Sequence, residues 1–95
     1  MRIRFSRHAG LKVEERRITE AVLKSVLQNP HARFYDTNSR AQVAIGEVDQ
    51  QGVRINMVAV FRKKDDVYHV VTAYPVKDVT GEMRRKVNSG RWIPI

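Results

Sequence analysis

The chain has 95 residues, enough for one small domain with a single modest core. Eighteen Lys and Arg against ten Asp and Glu give a formal net charge of +8 at pH 7, so the surface should attract an acidic polymer such as nucleic acid. The lack of cysteine excludes disulfides, thiolate catalysis and cysteine-based zinc sites. The N-terminus MRIRFSRH is charged where a signal peptide is apolar, and no run approaches the roughly eighteen apolar residues of a membrane span, so we expect a cytoplasmic protein that does not bind membranes.

The first thirty residues predict a short strand followed by two helices. Arg2 to Phe5 alternate charged and apolar residues, as strands do. Ser6 is a good N-cap for a helix that runs to about Arg16, and Thr19 caps the next helix. That second helix has one apolar stripe, formed by Val22, Leu23, Val26 and Leu27. It ends before Pro30, because the residue that precedes a proline is disfavoured in a helix.

From Ala32 onward the apolar residues repeat every second position, and β-branched and aromatic residues predominate. The predicted strands are ARFYD, AQVAIGEV, VRINMVAVFRK and VYHVVTAYPV. The turns DTNSR, DQQG and KKDD between them are short enough for antiparallel hairpins. We therefore predict an α+β fold, a single domain over residues 1–95. Two N-terminal helices should pack on a three- to four-stranded antiparallel sheet, followed by a short C-terminal helix.

The strand from Val53 to Phe61 indicates how the sheet is used. Its odd-numbered residues are apolar and should meet the helices, whereas Arg54, Asn56 and Arg62 share the other face. We expect that other face to be a mixed polar surface that can hold a ligand. The polar residues of the sheet that could complete a site, or simply pair across strands and be solvated, are Arg54, Asn56, Arg62, His69 and Tyr74.

The segment after Pro75, VTGEMRRKVNSG, predicts the C-terminal helix, with Thr80 as its cap and Gly90 placed to stop it. Arg84 and Arg85 belong to its basic side. The final WIPI is apolar, so we expect it to pack back on the domain or to meet a partner.

The stretch FSRHAGLKVEERRIT concentrates ionisable groups near the N-terminus. On a helix, His8, Lys12, Glu15 and Arg16 lie along one side, because they are spaced i, i+4, i+7 and i+8. A solvated surface with ordinary ion pairs has the same pattern, and that interpretation stays open. A metal site is disfavoured because the three histidines lie in separate elements without an i, i+4 pair.

Chemistry without a cofactor remains open to these residue types. Cleavage of RNA by its own 2′-hydroxyl needs a base, an acid for the leaving oxygen and cations around the phosphate. The chain contains His, Glu, Lys, Arg and Tyr, which supply all of these groups. Because DNA lacks the 2′-hydroxyl, such a protein would cleave RNA and only bind DNA.

The pattern FSRHAGLKVEERRIT resembles the opening of a bacterial, archaeal and phage family of domains of unknown function, in which Ser-x-His-Ala precedes a cation, Glu-Arg, and Ile with Ser or Thr. The resemblance continues through ITEAVLKSVLQNP, RAQVAIGEV and VVTAYP with GEMRRK, and so covers most of the chain. Arg17 stands where relatives usually have a glycine. The family is similar to BrnT-type toxins and, more distantly, to RelE-like toxins.

This resemblance implies helices packed on an antiparallel sheet and a metal-independent endoribonuclease toxin that needs no cofactor and is neutralised by a protein antitoxin. The family motif carries over His8, Lys12, Glu15, Arg16, Thr72 and Tyr74. We expect His8 to act as general base or acid, Glu15 as its partner or as an alternate base, and Tyr74 as a supporting donor. The cations expected to hold the RNA phosphates are Lys12, Arg16, Arg54, Arg62, Arg84 and Arg85.

Two other functions remain open from the sequence. The chain could be a non-catalytic module that binds nucleic acid through the same face and the RRK of the last helix. It could also be a partner-docking domain, or a homo-oligomer, that uses the C-terminal segment WIPI.

Overall fold

The computed structural model describes all residues from Met1 to Ile95 as an α+β fold, which confirms the predicted class. In chain order the elements are β1 (Arg2–Phe5), α1 (Arg7–Glu15), α2 (Glu20–Gln28), β2 (Ala32–Asp36), β3 (Ala41–Gln50), β4 (Val53–Lys64), β5 (Val67–Val76), α3 (Val79–Asn88) and β6 (Trp92–Pro94). The six strands form one sheet in the order β1-β5-β4-β3-β2-β6. None of the helices is both long and apolar enough to cross a membrane.

The sheet is larger than the three to four antiparallel strands that we predicted, and it is mixed. The four central strands are the four predicted segments, paired antiparallel. β1 adds a parallel strand beside β5, and β6 adds an antiparallel strand beside β2. These edge strands have only four and three residues, so their apolar pattern is too short to predict a pairing. Their partners lie far away in the chain and are selected by packing.

The first two helices begin at the predicted caps. The Ser6 hydroxyl accepts a hydrogen bond from the Ala9 N–H at 3.1 Å, and the Thr19 hydroxyl accepts one from the Val22 N–H at 3.2 Å. The third helix starts earlier than predicted, because Asp78 rather than Thr80 is its cap. Both residue types cap helices well, so the sequence alone did not separate them.

α1 and α2 cover one face of the sheet and form the first core. Its buried residues are Val13, Ile18, Leu23, Val26, Leu27, Ala44, Val48, Met57, Ala59, Phe61, Val70 and Ala73. α2 lies close to β3 because Gly46 has no side chain. A Cβ built at Gly46 would lie 3.1 Å from the Cα of Val26. The small residue therefore sets the distance between the helix layer and the sheet.

The opposite face is not the mixed polar surface that we expected. Its centre is a second core beneath α3, in which Phe34, Ala41, Val43, Ile45, Val58, Val60 and the edge-strand residue Trp92 are buried. The ring of Trp92 stacks on Phe34 with centroids 5.1 Å apart. The reason is visible in β4, where all residues of Met57–Phe61 are apolar and buried. Such a run indicates a strand that is covered on both faces.

We expect Leu23→Ala to lower the free energy of unfolding by about 2–5 kcal/mol, because a fully buried leucine is replaced by a cavity. The matched control is Leu11→Ala in α1, where the side chain is 60% exposed, and this change should cost no more than about 0.5 kcal/mol. Urea denaturation followed by circular dichroism measures both values. Equal losses would contradict the placement of Leu23 in the core.

Candidate nucleic-acid interface

A row of basic residues crosses three neighbouring strands at one end of the sheet. Arg4 of β1 is paired with His69 of β5, and His69 is paired with Arg62 of β4. Residues that are paired across strands project to the same face of the sheet, so the three side chains stand next to one another. All three are exposed.

Two more cations extend this row on the same face. Arg2 lies two residues before Arg4 on β1, and Lys64 lies two residues after Arg62 on β4. Both are paired with Val67 of β5. We refer to Arg2, Arg4, Arg62, Lys64 and His69 as the basic patch.

The charge of the basic patch is not neutralised within the protein. None of its side chains takes part in an ion pair. In the adjoining turn, Asp66 is instead 3.6 Å from the amino group of Met1. The Arg62 guanidinium donates a hydrogen bond to the carbonyl of Ser39, which restrains its position without removing its charge. An exposed cluster of unpaired cations is a typical surface for binding phosphates.

A cavity of about 240 Å³ adjoins the basic patch where β1 leads into α1. It is lined by Phe5, Ser6, Arg62, His69, Val70 and Val71. The last of these residues is a β-bulge, because Val60 pairs with Thr72 whereas Phe61 already pairs with Val70. An extra residue of this kind bends a strand and is common next to functional sites.

The ionisable row of α1 lies beside the first core and along β5. β1 pairs only with Val67–Val70, so the rest of β5 has no strand on that side. Arg16 occupies this edge and donates a hydrogen bond to the carbonyl of Ala73 at 2.7 Å. Lys12 and Glu15 form an ion pair at 3.4 Å, and His8 is exposed. The guanidinium of Arg16 is therefore used within the fold.

Tyr74 lies on the face of β5 that is turned away from α1, and it packs against the second core. Its hydroxyl donates a hydrogen bond to the Glu82 carboxylate of α3 at 2.9 Å. Burial raises the pKa of Tyr74, and the hydrogen bond to Glu82 raises this pKa further, so the phenol stays protonated at neutral pH. No hydrogen bond or ion pair joins Tyr74 to His8 or Glu15.

The remaining predicted phosphate ligands lie apart from the patch. Arg54 is at the other end of β4, where it bonds to Glu47 at 3.0 Å and to Asp49 at 3.4 Å. These residues line the largest cavity, of about 560 Å³. In α3, Arg85 is paired with Glu82 at 3.3 Å. Arg84 is exposed and has no ion pair. Of the predicted cations, only Arg62 belongs to the basic patch.

Sequence reasoning missed three members of the basic patch, namely Arg2, Arg4 and Lys64. The alternation in RIRF places Arg2 and Arg4 on one face of a strand. This alternation does not indicate which strand pairs with β1. The parallel pairing with β5 is what brings them next to His69. No group of three or more His, Asp or Glu side chains is placed to hold a metal ion.

A buried carboxylate, Asp36, was also missed. It is 2% exposed and accepts hydrogen bonds from the N–H groups of Asn38 and Ser39 at 2.8 and 3.2 Å. The indole N–H of Trp92 lies 3.4 Å from it, and Arg91 forms an ion pair with it at 3.5 Å. The segment DTNS is a typical sequence for such a turn. Asp36 thus joins the β2–β3 turn to the C-terminal segment.

Two influences on the pKa of Asp36 oppose each other. Burial raises the pKa, but the backbone N–H groups of Ser39 and Asn38 and the charge of Arg91 lower it by more, so the net pKa is below its usual value. The charged form is therefore stabilised by folding.

Residues 5–77 match the model of a family described as "Domain of unknown function (DUF4258)". This range starts at Phe5, beside the cavity, and includes α1, α2 and the four central strands. The predicted resemblance to a family of domains of unknown function is thereby confirmed. No curated protein and no solved structure matches the chain significantly.

We expect Asp36→Asn to lower the free energy of unfolding at neutral pH by about 1–3 kcal/mol, because hydrogen bonds and an ion pair to a buried carboxylate are lost. The folded pKa lies below the unfolded value of 3.8, so the contribution of the carboxylate is complete above 3.8 and is lost as the pH falls through the folded pKa. Urea denaturation at neutral and acidic pH should therefore show a difference from wild type that shrinks in acid. Asp65→Asn, at an exposed carboxylate outside any ion pair, is the control. A difference that is independent of pH would contradict this role.

Proposed function

We propose that the protein, which belongs to the DUF4258 family, binds RNA through the basic patch. The observation that carries the proposal is the row Arg4, His69 and Arg62, which are paired across three strands and exposed without an ion-pair partner. The opening stretch resembles a family of domains of unknown function, and the choice of RNA rests on the similarity of that family to toxins that cleave RNA.

The arrangement of the patch suits a chain of phosphates. Neighbouring strands are about 4.8 Å apart, and residues two apart on one strand are roughly 7 Å apart. The patch therefore offers cations at spacings similar to those of successive phosphates along an extended strand. Each contact between a cation and a phosphate releases counterions, so the affinity should fall as salt rises.

We expect the binding constant for a labelled RNA, measured by fluorescence anisotropy, to fall linearly with salt on a logarithmic plot. Arg4→Gln should weaken binding and reduce the slope by about one, because one phosphate contact is lost. The matched control is Arg54→Gln, at an arginine already bound to Glu47 and Asp49, which should bind like wild type. Insensitivity of the binding to salt, or equal losses in the two variants, would contradict the proposed interface.

A second candidate function is a metal-independent endoribonuclease of the toxin type. The observation that favours it is His69, which stands between two arginines and lines the cavity. In the proposed reaction a base removes the proton of the 2′-hydroxyl, the 2′-oxygen attacks phosphorus, and the bond from phosphorus to the 5′-oxygen breaks. An acid donates a proton to that oxygen, which leaves a 2′,3′-cyclic phosphate and a 5′-hydroxyl.

The geometry favours histidines for these proton transfers. Glu15 forms an exposed ion pair with Lys12, and Tyr74 donates to Glu82 and stays protonated. His8 and His69 are both exposed and have no hydrogen-bond partner within the protein. The guanidinium groups next to His69 would stabilise the charge that develops on the phosphate.

We expect single-stranded RNA to be cleaved in the presence of a chelator, while DNA of the same sequence stays intact because it lacks the 2′-hydroxyl. His69→Gln should lower the cleavage rate by about 10²–10⁴-fold if the imidazole transfers a proton, and His8→Gln tests the other candidate. The control is His31→Gln, because His31 is bound to Asn56 at 2.7 Å outside the patch. Intact RNA at high protein concentration, or rates unchanged in both test variants, would remove the enzymatic assignment.

The same resemblance supports three further proposals. The domain would be of the BrnT and RelE-like toxin type, it would act in the cytoplasm, and a protein antitoxin would inhibit it.

Partner docking or self-association through the C-terminal segment is supported by Ile93 and Ile95, which are 50% and 63% exposed. Trp92 of that segment is buried and is not available to a partner.

A further inference from the structure

A further cavity, of about 280 Å³, lies between α3 and the face of the sheet that carries the basic patch. We refer to it as the α3 cavity. Val60 of β4 and Thr72 of β5, which are paired across the two strands, are among its lining residues. Arg62 lies two residues beyond Val60 on β4 and therefore projects to the same face, roughly 7 Å further along the strand. The α3 cavity and the basic patch are thus neighbours on one face of the sheet.

Two further observations join the α3 cavity to the basic patch. Val71 of the β-bulge lines both the α3 cavity and the 240 Å³ cavity beside the patch. The Arg62 guanidinium donates a hydrogen bond to the carbonyl of Ser39, and Ser39 lines the α3 cavity. A molecule whose phosphate is bound by Arg62 therefore has this cavity beside it.

The charges that line the α3 cavity balance one another, unlike those of the basic patch. Asp36 and Glu82 supply two carboxylates, whereas Lys86 and Arg91 supply two cations. Asp36 is 3.5 Å from Arg91, and Glu82 is 3.9 Å from Lys86. The carboxylates would repel a phosphate, which the unpaired cations of the patch attract. The cavity therefore favours an uncharged ligand.

The α3 cavity also offers polar groups whose capacity for hydrogen bonding is not used. The distance of 3.9 Å between Lys86 and Glu82 is too long for a hydrogen bond, so the ammonium keeps its donors. That ammonium lies 5.5 Å from the ring centroid of Trp92. Thr72 is half-buried and its hydroxyl forms no hydrogen bond within the protein, and the Ser39 hydroxyl is buried without a partner.

We propose that the α3 cavity is a subsite for one unpaired RNA base, whose polar edge is bound by Lys86 and Thr72 while the adjoining phosphate contacts Arg62. The inference rests on the proposed binding of RNA and narrows its target to RNA with an unpaired base. In a duplex the polar edge of a base is occupied by its pairing partner, so only an unpaired base can present that edge to a protein pocket.

The size and lining of the α3 cavity suit a nucleobase. A base is flat and uncharged, and it carries both hydrogen-bond donors and acceptors on its edge. The apolar residues among those that line the cavity are Val60, Val71 and Tyr74. The volume of about 280 Å³ is below the range of about 300–1,000 Å³ of pockets for drug-sized ligands. One base is a ligand of that smaller size.

The first test measures, by fluorescence anisotropy, the affinities for a short unpaired RNA with all four bases and for an abasic RNA of equal length. The wild-type protein should bind the unpaired RNA more tightly, because the abasic RNA offers only its phosphates. Thr72→Val keeps the shape of the side chain and removes the hydroxyl. It should weaken binding of the unpaired RNA about two- to tenfold, the effect of one hydrogen bond, and leave the affinity for the abasic RNA unchanged. The matched control is Thr80→Val, at an exposed threonine outside the cavity, which should change neither affinity.

The second test follows the base itself, with an unpaired RNA that carries one 2-aminopurine. This base fluoresces more strongly when it leaves the stack of its neighbours, so saturation with the wild-type protein should raise the fluorescence. Thr72→Phe fills the cavity, and it should bind the same RNA without the rise and with the affinity of the abasic RNA. A circular dichroism melt shows whether Thr72→Phe is folded, and the wild-type measurement decides the question if it is not.

The outcomes separate this inference from the function on which it rests. If the wild-type protein binds neither RNA with a salt-dependent affinity, both the proposed function and the subsite are overturned. Only the subsite is overturned if the wild-type protein binds both RNAs equally, if Thr72→Val resembles Thr80→Val, or if the fluorescence does not rise. A selective loss of affinity for the unpaired RNA in Thr72→Val, together with the fluorescence rise in the wild-type protein, supports the subsite.

Discussion

Burial of the sheet on both faces is the constraint from which the rest of the structure follows. Residues Met57–Phe61 of β4 are all buried, with α1 and α2 over one face and α3 with Trp92 over the other. Charged side chains on the central strands are thereby confined to positions near the strand ends, because a buried charge without a partner is costly. Arg54 is found at one end, bound to two carboxylates, and Arg62 at the other, without a carboxylate. The free positive charge thus collects at the second end.

β1 connects this sheet end to the helix layer. As a parallel edge strand it adds Arg2 and Arg4 to the face that carries His69, and it ends at Phe5, where α1 starts. The edge of β5 beyond β1 is then open to Arg16, whose guanidinium binds the Ala73 carbonyl. The link from α1 to α2 needs a left-handed residue, Arg17 with φ 56°, a conformation that costs a residue with a side chain more than it costs glycine. The short N-terminal strand therefore places both the patch and the cavity.

The features that could be predicted from the sequence are those with local causes. Ser6 and Thr19 cap their helices through contacts three residues away, and the hairpins of the four central strands follow from short turns between alternating segments. The parallel pairing of β1 and the return of β6 join residues from distant parts of the chain, and no local pattern selects those partners. The same limit applied to the site. The spacing of the α1 row was visible in the sequence, but the engagement of Arg16 with β5 and of Tyr74 with Glu82 depends on tertiary packing.

The arrangement of charges also separates binding from catalysis. A guanidinium that contacts a phosphate equally well before and during reaction adds affinity and does not accelerate the chemical step. In either proposed function, Arg4 and Arg62 would therefore contribute affinity for RNA. A group that exchanges a proton with the substrate is what an enzyme needs in addition. Glu15 is paired with Lys12 and Tyr74 is hydrogen-bonded to Glu82, whereas the exposed imidazole of His69 has neither kind of partner within the protein. The proposed cleavage thus requires the 2′-hydroxyl to lie beside that imidazole while the adjoining phosphate contacts the neighbouring arginines.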